Sequence, residues 1–539
     1  MRNLLGWVLA AALAATPAGP SIDSAVERLS AERMRADITF LSSKPLAGRL
    51  SARPGDDAAA QFLAAELRKA GVPPVAGSYF QTIPLTEFEV DGERSSLGWT
   101  AQLARGAAEA ERTFPPAGNF VCRFPESARI TAGVVFAGYG ITAPELDYDD
   151  YAGVDVRGKW ALVLAGEPQR EQADSIFNGR GDTIHAGSRV KPLEAEKHGA
   201  IGLLLIGGRM GSLVRADSGG EVRAHLPAQA LAASRFRIPV VTLSVAAGEE
   251  LLQAAGKDRA GLAQQIDAAL KPQSFEMRGV KVTLDHRVVR AQPAVSANVL
   301  GWIEGSDPAL KSETVILCGH HDHLGSVPEG YFPGANDNAS GAAAVVELAR
   351  AFAASGLQPR RSILFIVFGS EEEGLLGSFH YVEHPLRPLE KTVAVVNLDM
   401  IGQNETPSLQ TEGRWHVPKD TSNAVDPIGT HYAPDLRKLI EAANERVGLK
   451  LDFRLDADHS LDVFQRCDHY PFALERIPAV WLFGGFHPEY HQTTDTVDRL
   501  NFPKMLKITK LAMRLAWELA NGSGRPQWLA KPGPVKDTA

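Results

Sequence analysis

The segments "ETVILCG" (313–319), "NASGAAAVVELARAFAAS" (338–355) and "SILFIVFG" (362–369) decide the fold. The first and the last are continuous apolar runs, which are typical of strands buried on both faces of a sheet. The Ala-rich segment between them has the spacing of a helix. This order of strand, helix and strand predicts an α/β fold with a mostly parallel central sheet sandwiched by helices.

Further apolar runs and segments with helical spacing occur on both sides of these three segments. "TVAVVNLDMIG" (392–402) and "IPAVWLFGG" (477–485) are further buried-strand candidates, and "FPKMLKITKLAMRLAWELAN" (502–521) has the period of an amphipathic helix. Helical spacing also appears at 25–43 and 56–70. Between the helical segment at 56–70 and the first apolar run at 313–319, from about residue 115 to 280, glycine residues separate short β-rich runs. We interpret this region as a β-rich domain inserted into the main domain.

The chain of 539 residues is long enough for two or three domains. The predicted organisation is a signal peptide at 1–18, the first part of the main domain at 19–114, the insert at 115–280, the rest of the main domain at 281–522 and a flexible tail at 523–539.

Charge and cysteine content exclude several classes of protein. The formal net charge is -8, so the chain lacks the excess of positive charge that collects phosphates, and we expect no nucleic-acid partner. The three cysteines, Cys122, Cys318 and Cys467, are too few for a disulfide framework or a Cys-rich structural zinc site. One disulfide bridge between two of them is possible. Cys318 lies in an apolar run, which predicts a buried thiol at this position.

The N-terminus, "MRNLLGWVLAAALAATPAGP" (1–20), has a basic start, a short apolar stretch and then small residues with proline. This layout is typical of a secretory signal peptide, and the apolar stretch is shorter than the roughly 20 residues of a spanning helix. We expect a secreted or periplasmic protein with no membrane anchor after cleavage. An uncleaved N-terminal anchor is the alternative.

Polar residues follow each predicted central strand. They are His320 to His323, Ser370 to Glu373, Asp399 and the segment "FHPEYHQTTD" (486–495), with Asp337 at the start of the Ala-rich helix. Ligands of open α/β sheets collect at the carboxyl ends of the strands. Clustered carboxylates repel one another unless a cation is present. Imidazole together with carboxylate suits zinc in an open catalytic site, and also two metals that share a carboxylate.

The motifs "GHHDHLG" (319–325), "GANDNASG" (334–341), "SEEEGLLGS" (370–378), "NLDM" (397–400) and "YHQTTDT" (490–496), in this order, resemble the M28 family of co-catalytic zinc aminopeptidases and related carboxypeptidases. The resemblance runs from about residue 296 to the last predicted helix and implies a zinc-peptidase-like fold. Within the insert, "YAGVDVRGKWALV" (151–163) and "AEKHGAIGLLLI" (195–206) are similar to the protease-associated (PA) domain found in such enzymes.

The resemblance implies a role for each residue of the motifs. Two zinc ions per chain would be bound, one by His320 and Asp399 and the other by Glu372 and His491, with Asp337 bridging both. Glu371 would be the general base, and Asp322 would support His320. The sequence departs from the family pattern at Ser370, which stands where a glycine is common, and at Asn336, where many members have a second acid.

The implied function is an exported zinc-dependent exopeptidase, an aminopeptidase that removes N-terminal residues from peptides with metal-activated water. The alternatives are a carboxypeptidase or dipeptidase of the same family, a glutaminyl cyclase with one zinc, and a non-catalytic binding relative. Parity along an extended chain does not choose between His320 and His321 as the ligand. We expect His321, His323 and His487 to be loop or cleft residues, and Asp468 and His469 to be either cleft residues or a structural pair.

Overall fold

The computed structural model describes residues 20–102, 109–116, 118–207, 225–233, 237–328 and 330–532. Among these residues the strands form two large sheets and two short hairpins. The hairpins pair Ser326–Val327 with Gly330–Tyr331 and Thr142–Ala143 with Tyr148–Asp149. Each large sheet has its own apolar core.

The larger sheet has nine strands, in spatial order His225–Leu231, Phe80–Asp91, Val288–Ile303, Ser362–Phe368, Thr314–His320, Thr392–Asp399, Ala479–Phe483, Ala424–Ile428 and Lys450–Leu451. The four strands from Ser362–Phe368 to Ala479–Phe483 are parallel neighbours. The strands before Ser362–Phe368 pair antiparallel, and Ala424–Ile428 runs antiparallel to Ala479–Phe483. The predicted parallel arrangement therefore forms the centre of a mixed sheet.

Helices cover both faces of this sheet, as predicted. Among the described residues the α-helices are Ile22–Val26, Ala31–Leu41, Pro54–Lys69, Val190–Lys197, Val245–Gln253, Arg259–Ala269, Gly341–Ser355, Leu376–Glu383, Pro434–Asn444, His469–Leu474 and Phe502–Asn521. Val190–Lys197 and Val245–Gln253 contact strands of the other large sheet, and Arg259–Ala269 packs with Val245–Gln253. Gly341–Ser355 and Phe502–Asn521 contact the central strands and share one apolar cluster with them. Leu376–Glu383 and His469–Leu474 contact each other and belong to two other apolar clusters. The central strands are buried along their whole length, which explains their unbroken apolar sequence.

The second sheet has eight strands, in spatial order Glu109–Phe114, Ser96–Gln102, Phe275–His286, Ala128–Phe136, Trp160–Leu164, Gly202–Ile206, Val240–Leu243 and Phe120–Cys122. Its limits differ from the predicted insert at 115–280. The hairpin of Ser96–Gln102 and Glu109–Phe114, which we had assigned to the main domain, belongs here because Ser96–Gln102 pairs with Phe275–His286. Conversely, His225–Leu231 pairs with Phe80–Asp91 at the edge of the larger sheet.

All three cysteines are buried and free, so the possible disulfide does not form. Cys318 lies in the central strand Thr314–His320 and donates a hydrogen bond to Asn397 Oδ1 at 3.3 Å. The buried thiol predicted at this position is thereby confirmed. No helix among the described residues is long and apolar enough to cross a membrane. The predicted signal peptide lies outside the described residues.

The described part of the predicted flexible tail is packed onto the main domain. Trp528 stacks on Tyr432 with ring centroids 4.3 Å apart and an interplanar angle of 5°, and the Leu529 N–H donates to the Tyr432 carbonyl at 2.8 Å. These two contacts hold Trp528 and Leu529 against Tyr432, and the flexibility of the tail as a whole stays a prediction.

Replacing Trp528 with alanine should lower the free energy of unfolding by about 1–2 kcal/mol, because a stacked aromatic pair contributes about 0.5–1.5 kcal/mol beyond the apolar area that it buries. Urea unfolding measures the difference. The exposed neighbour Gln527 provides the control, since Q527A should change the value by less than about 0.5 kcal/mol. Equal effects of the two substitutions would contradict the anchoring of the tail.

Candidate active site

The parallel strands bring their polar termini to one edge of the sheet. Thr314–His320 and Thr392–Asp399 end at His320 and Asp399 themselves, and Glu371 follows Ser362–Phe368 after a two-residue turn. Ser370 in that turn has a φ of 60°, in the left-handed region that glycine adopts at no steric cost. This explains why glycine is common at the position that Ser370 occupies.

A first group of metal-ligating side chains consists of His320, Asp337 and Asp399. The His320 Nε2 atom lies 3.5 Å from Asp337 Oδ1 and 3.5 Å from Asp399 Oδ1. All three side chains are buried, and their ligand atoms lie within 4.8 Å of one another. The structure therefore brings together three of the five predicted metal ligands.

A second group forms around the other oxygen of Asp337. The His491 Nε2 atom lies 3.1 Å from Asp337 Oδ2 and 3.3 Å from Glu372 Oε2. The His323 Nδ1 atom is 2.7 Å from Glu372 Oε1 and 4.0 Å from Asp337 Oδ2. Asp337 thus faces both groups, one with each carboxylate oxygen, which is the arrangement expected of a bridging ligand.

The position of His323 differs from its prediction as a loop or cleft residue, because its ring bonds to Glu372 and could itself hold a metal with Asp337 and Glu372. His321 points elsewhere, with Nδ1 3.1 Å from Asp56 Oδ1 and Nε2 3.0 Å from the Ala297 carbonyl. The two histidines do not share a side because the strand ends at His320, beyond which the period of two no longer applies.

The clustered carboxylates create a strongly negative site. Burial opposes the charged form of His320, yet the charges of Glu371 and Asp399 raise the pKa of His320 well above its usual value. Burial likewise opposes protonation of His491, but Glu372 and Asp337 raise the pKa of His491 to about 10. The negative potential of these carboxylates favours the binding of divalent cations.

Unpaired polar atoms test whether these residues fit a metal. Among the described residues, the buried atoms His320 Nε2 and Asp399 Oδ1 have no hydrogen-bond partner, although each belongs to a strongly polar group. Buried polar atoms nearly always have a partner, and a metal ion bound by His320 and Asp399 would be the partner of both atoms. Nitrogen and oxygen donors of this kind suit zinc.

Glu371 lies beside the first group, with Oε2 3.8 Å from His320 Nε2. Burial raises the pKa of Glu371 well above its usual value, and the charges of Glu372 and Asp468 raise it further. The Asp322 carboxylate fixes the backbone on which Glu371 and Glu372 stand. Its Oδ1 accepts the Glu371 N–H at 2.9 Å, and its Oδ2 accepts the Glu372 N–H at 3.2 Å. Its carboxylate is 3.7 Å from His320 Nδ1, so its hydrogen bonds go mainly to the loop of Glu371.

Sequence reasoning missed three residues that support the site. The Asp495 carboxylate accepts the N–H of Asn336 at 3.0 Å and of Asp337 at 3.1 Å, which fixes the bridging loop. The Cys467 thiol lies 2.8 Å from Asp399 Oδ2 and donates to it. Asp495 stands in a quoted motif, but no sequence signal linked Cys467 to the strand ends.

The third supporting residue, Arg49, is completely buried and donates only to backbone carbonyls. Its guanidinium bonds to the carbonyls of His321 at 2.6 Å, Pro333 at 2.7 Å, Gly334 at 2.9 Å and Leu41 at 2.5 Å. Burial lowers the pKa of Arg49 to about 10, against the charges of Asp337 and Asp322. Arg49 therefore joins the loops that carry His320 and Asp337.

Replacement of Arg49 with methionine should lower the free energy of unfolding by about 4 kcal/mol, because several buried carbonyls lose their donor at about 1–3 kcal/mol each. Urea unfolding of the metal-free protein measures this without a contribution from bound ions. R28M changes an exposed arginine and should alter stability by less than about 0.5 kcal/mol. If R49M were as stable as R28M, the hydrogen bonds of Arg49 would not be the link between the loops.

The remaining candidates lie around the two groups. His487 accepts a hydrogen bond at Nε2 from Asn336 Nδ2 at 2.8 Å, and burial lowers the pKa of His487 to about 4. Asn336, which replaces a second acid, also accepts the N–H of Gly402 at 2.7 Å. Asp468 and His469 are both buried, and no hydrogen bond joins them among the described residues.

Comparison with known proteins identifies the domain that carries this site. Residues 298–516 match the family model of peptidase family M28. The probable lipoprotein aminopeptidase LpqL of Mycobacterium tuberculosis is 29% identical over 265 residues, which cover 44% of this chain and 48% of that protein. Aminopeptidase YwaD of Bacillus subtilis is 26% identical over 315 residues, 57% of each. The matches thus span about half the length of these curated relatives.

Among solved structures, the aminopeptidase from Aneurinibacillus sp. strain AM-1 superimposes with a TM-score of 0.50 at 21% identity, over 95% of this chain and 98% of that one. At this level of identity the likeness shows the fold alone. It confirms the α/β fold class predicted from the sequence.

Proposed function

Because residues 298–516 match the model of peptidase family M28, we propose that the protein is an exported, zinc-dependent aminopeptidase of this family that hydrolyses the N-terminal bond of peptides. The observation that carries this proposal is Asp337, whose two oxygens face two separate clusters of imidazole and carboxylate. One cluster alone would support a mononuclear enzyme or a cyclase. The names of the relatives as aminopeptidases agree with the proposal.

The proposed centre holds two zinc ions per chain. His320 and Asp399 would bind the first, Glu372 and His491 the second, and Asp337 would bind both. His491 is preferred over His323 because its Nε2 approaches both Asp337 and Glu372, whereas His323 bonds to one oxygen of Glu372 and orients it. When bound, the zinc ions supply Lewis acidity that lowers the pKa of a coordinated water and polarises the scissile carbonyl.

In this proposal Glu371 accepts a proton from the attacking water and returns it to the leaving amine. Its burial beside His320 supports this role, because a desolvated carboxyl group exchanges protons near neutral pH more readily than an exposed one. Asp322 holds the backbone of Glu371 and Glu372, and so sets the distance between base and metal ligands. The acidic surroundings favour a substrate with a free α-amine.

We also propose that the protein is exported and that its insert is a PA-like domain. Export rests on the N-terminal sequence "MRNLLGWVLAAALAATPAGP" (1–20). The likeness of the insert to a PA domain rests on its two sequence motifs, and the β-rich sheet that contains them is consistent with it.

Blocked dipeptides test the proposed function. An aminopeptidase hydrolyses Leu-Gly and Leu-Gly-amide but leaves N-acetyl-Leu-Gly intact, since the acetyl group removes the charged amine. A carboxypeptidase shows the opposite requirement, cleaving N-acetyl-Leu-Gly and sparing the amide. Release of glycine, or of glycinamide from the amide, by the zinc-loaded protein is the measurement, because every one of these hydrolyses frees that leaving group. Hydrolysis of the acetylated peptide at the rate of Leu-Gly would refute the proposal.

A further inference from the structure

Two histidines at the end of the helix Leu376–Glu383 belong to neither of the metal groups described above. His380 lies in the last turn of this helix, and His384 is the residue that caps its C-terminus. The His384 N–H donates to the His380 carbonyl at 2.9 Å, which is the helical hydrogen bond between residues four positions apart. Side chains at this spacing are neighbours on one face of a helix. His380 is buried, whereas His384 is exposed to solvent.

The two imidazole rings are close enough to share one metal ion. Their centroids lie 4.7 Å apart, and the ring planes make an angle of 53°. Because a zinc–imidazole bond is about 2.0–2.1 Å long, the ion lies about 3.2 Å from the centroid of each ligating ring. Two rings at a tetragonal or tetrahedral angle around the ion then have centroids about 4.5–5.2 Å apart. The observed separation falls within this range.

The protein occupies one nitrogen of His380 and leaves the other for a ligand. Burial lowers the pKa of His380, the nearby His384 lowers it further, and a hydrogen bond to the Thr82 backbone opposes both effects. The ring is therefore neutral at pH 7. A neutral imidazole that donates its N–H to a backbone carbonyl keeps a lone pair on the second nitrogen, and most metal-ligating histidines have this arrangement.

Buried amide side chains fix the backbone that carries the two histidines. Gln81 Nε2 donates to the His384 carbonyl at 2.6 Å, and Gln81 Oε1 accepts a hydrogen bond from Asn298 Nδ2 at 2.9 Å. The same Asn298 Nδ2 atom donates to the carbonyl of Gly377, in the first turn of the helix, at 2.9 Å. Both ends of the helix are thus held against the sheet. A backbone that is already ordered lowers the entropic cost of binding a ligand.

We propose that His380 and His384 form a third metal site, separate from the two proposed zinc ions, which takes a divalent ion of the late first transition row. Imidazole suits such ions, and the affinity of a given site rises from Ni²⁺ to Cu²⁺ and falls again to Zn²⁺. The exposure of His384 allows water to complete the coordination. A cation at this place also lies at the negative end of the helix dipole.

The experiment uses Cu²⁺ as the probe, because this ion should bind most tightly and its unpaired electron reports the ligands. Calorimetric titration of the zinc-loaded full chain measures the affinity, and elemental analysis of the same samples follows the zinc content. We expect one Cu²⁺ per chain beyond the retained zinc, with two imidazole ligands detected by pulsed electron paramagnetic resonance. H380Q and H384Q should each raise the dissociation constant of this Cu²⁺ about 10-fold or more. H416Q, which removes an exposed histidine elsewhere, should leave it unchanged.

The decisive variant is H384Q, because an exposed side chain can be replaced without disturbing the core. The third site is refuted if H384Q binds Cu²⁺ as tightly as the wild type, or if H384Q and H416Q weaken binding equally. A wild-type protein that binds no Cu²⁺ beyond its zinc, that only exchanges zinc for Cu²⁺, or whose Cu²⁺ has a single imidazole ligand also refutes it. Metal binding is measured without substrate, so failure of the proposed peptidase function leaves this test intact.

Discussion

Replacing Glu371 with glutamine should lower kcat about 10²- to 10⁴-fold, the range of a positioned general acid–base group, while the zinc content stays close to that of the wild type. Glutamine keeps the size of the side chain and cannot take up the proton. Glu371 Oε2 is 3.8 Å from His320 Nε2, and Glu371 is not among the five proposed zinc ligands, so the metal groups should survive the change.

The neighbouring acid provides a matched control for Glu371. E373Q removes a carboxylate from the same loop, but Glu373 belongs to neither metal group, and we expect less than about a threefold change in kcat. Steady-state kinetics and elemental analysis of the same samples give both quantities. An E371Q enzyme with the kcat of the wild type, or an E373Q enzyme as inactive as E371Q, would show that the base is assigned to the wrong residue.

Replacing Asp337 with alanine should have the second large effect, because Asp337 is the one residue in the described part of the chain that faces both metal groups. Loss of the shared carboxylate should raise the dissociation constants of both zinc ions about 100-fold or more, since even residues that only orient a ligand change affinity about 10- to 100-fold. Activity at micromolar zinc should fall with occupancy. Competition with a fluorescent zinc chelator measures both binding steps.

The substitution H487A is a suitable control for Asp337, because His487 bonds to the neighbouring Asn336 but lies in neither group. It should leave the zinc affinity within about 10-fold of the wild type. If D337A weakened only one zinc ion, Asp337 would be a terminal ligand of one metal and the account of a bridge would be wrong.

The central part of the fold follows from the sequence because its strands are buried on both faces. Apolar runs such as Thr314–His320 and Ser362–Phe368 can be recognised as buried strands because no alternating polar positions interrupt them. The polar residues at the end of each run mark one edge of the sheet. The convergence of His320, Asp337 and Asp399 could be predicted on this basis. Glu372 and His491 also meet as the motifs implied.

Features that depend on contacts between distant segments could not be predicted. Ser96–Gln102 joins the second sheet through pairing with Phe275–His286, more than 170 positions away, and its own sequence carries no sign of that partner. Arg49 and Cys467 act through hydrogen bonds that form only after folding. The role of His323 was missed because the parity argument treats the chain as extended through His323, whereas the strand ends at His320.

The central claim is that five side chains from separate strand ends and loops hold two divalent cations. Anomalous diffraction at the zinc edge, from crystals of the zinc-loaded protein, tests it most directly. The account predicts two anomalous peaks, one in contact with His320 and Asp399, the other with Glu372 and His491, and both with Asp337. A single peak, or peaks that none of these residues contacts, would contradict it.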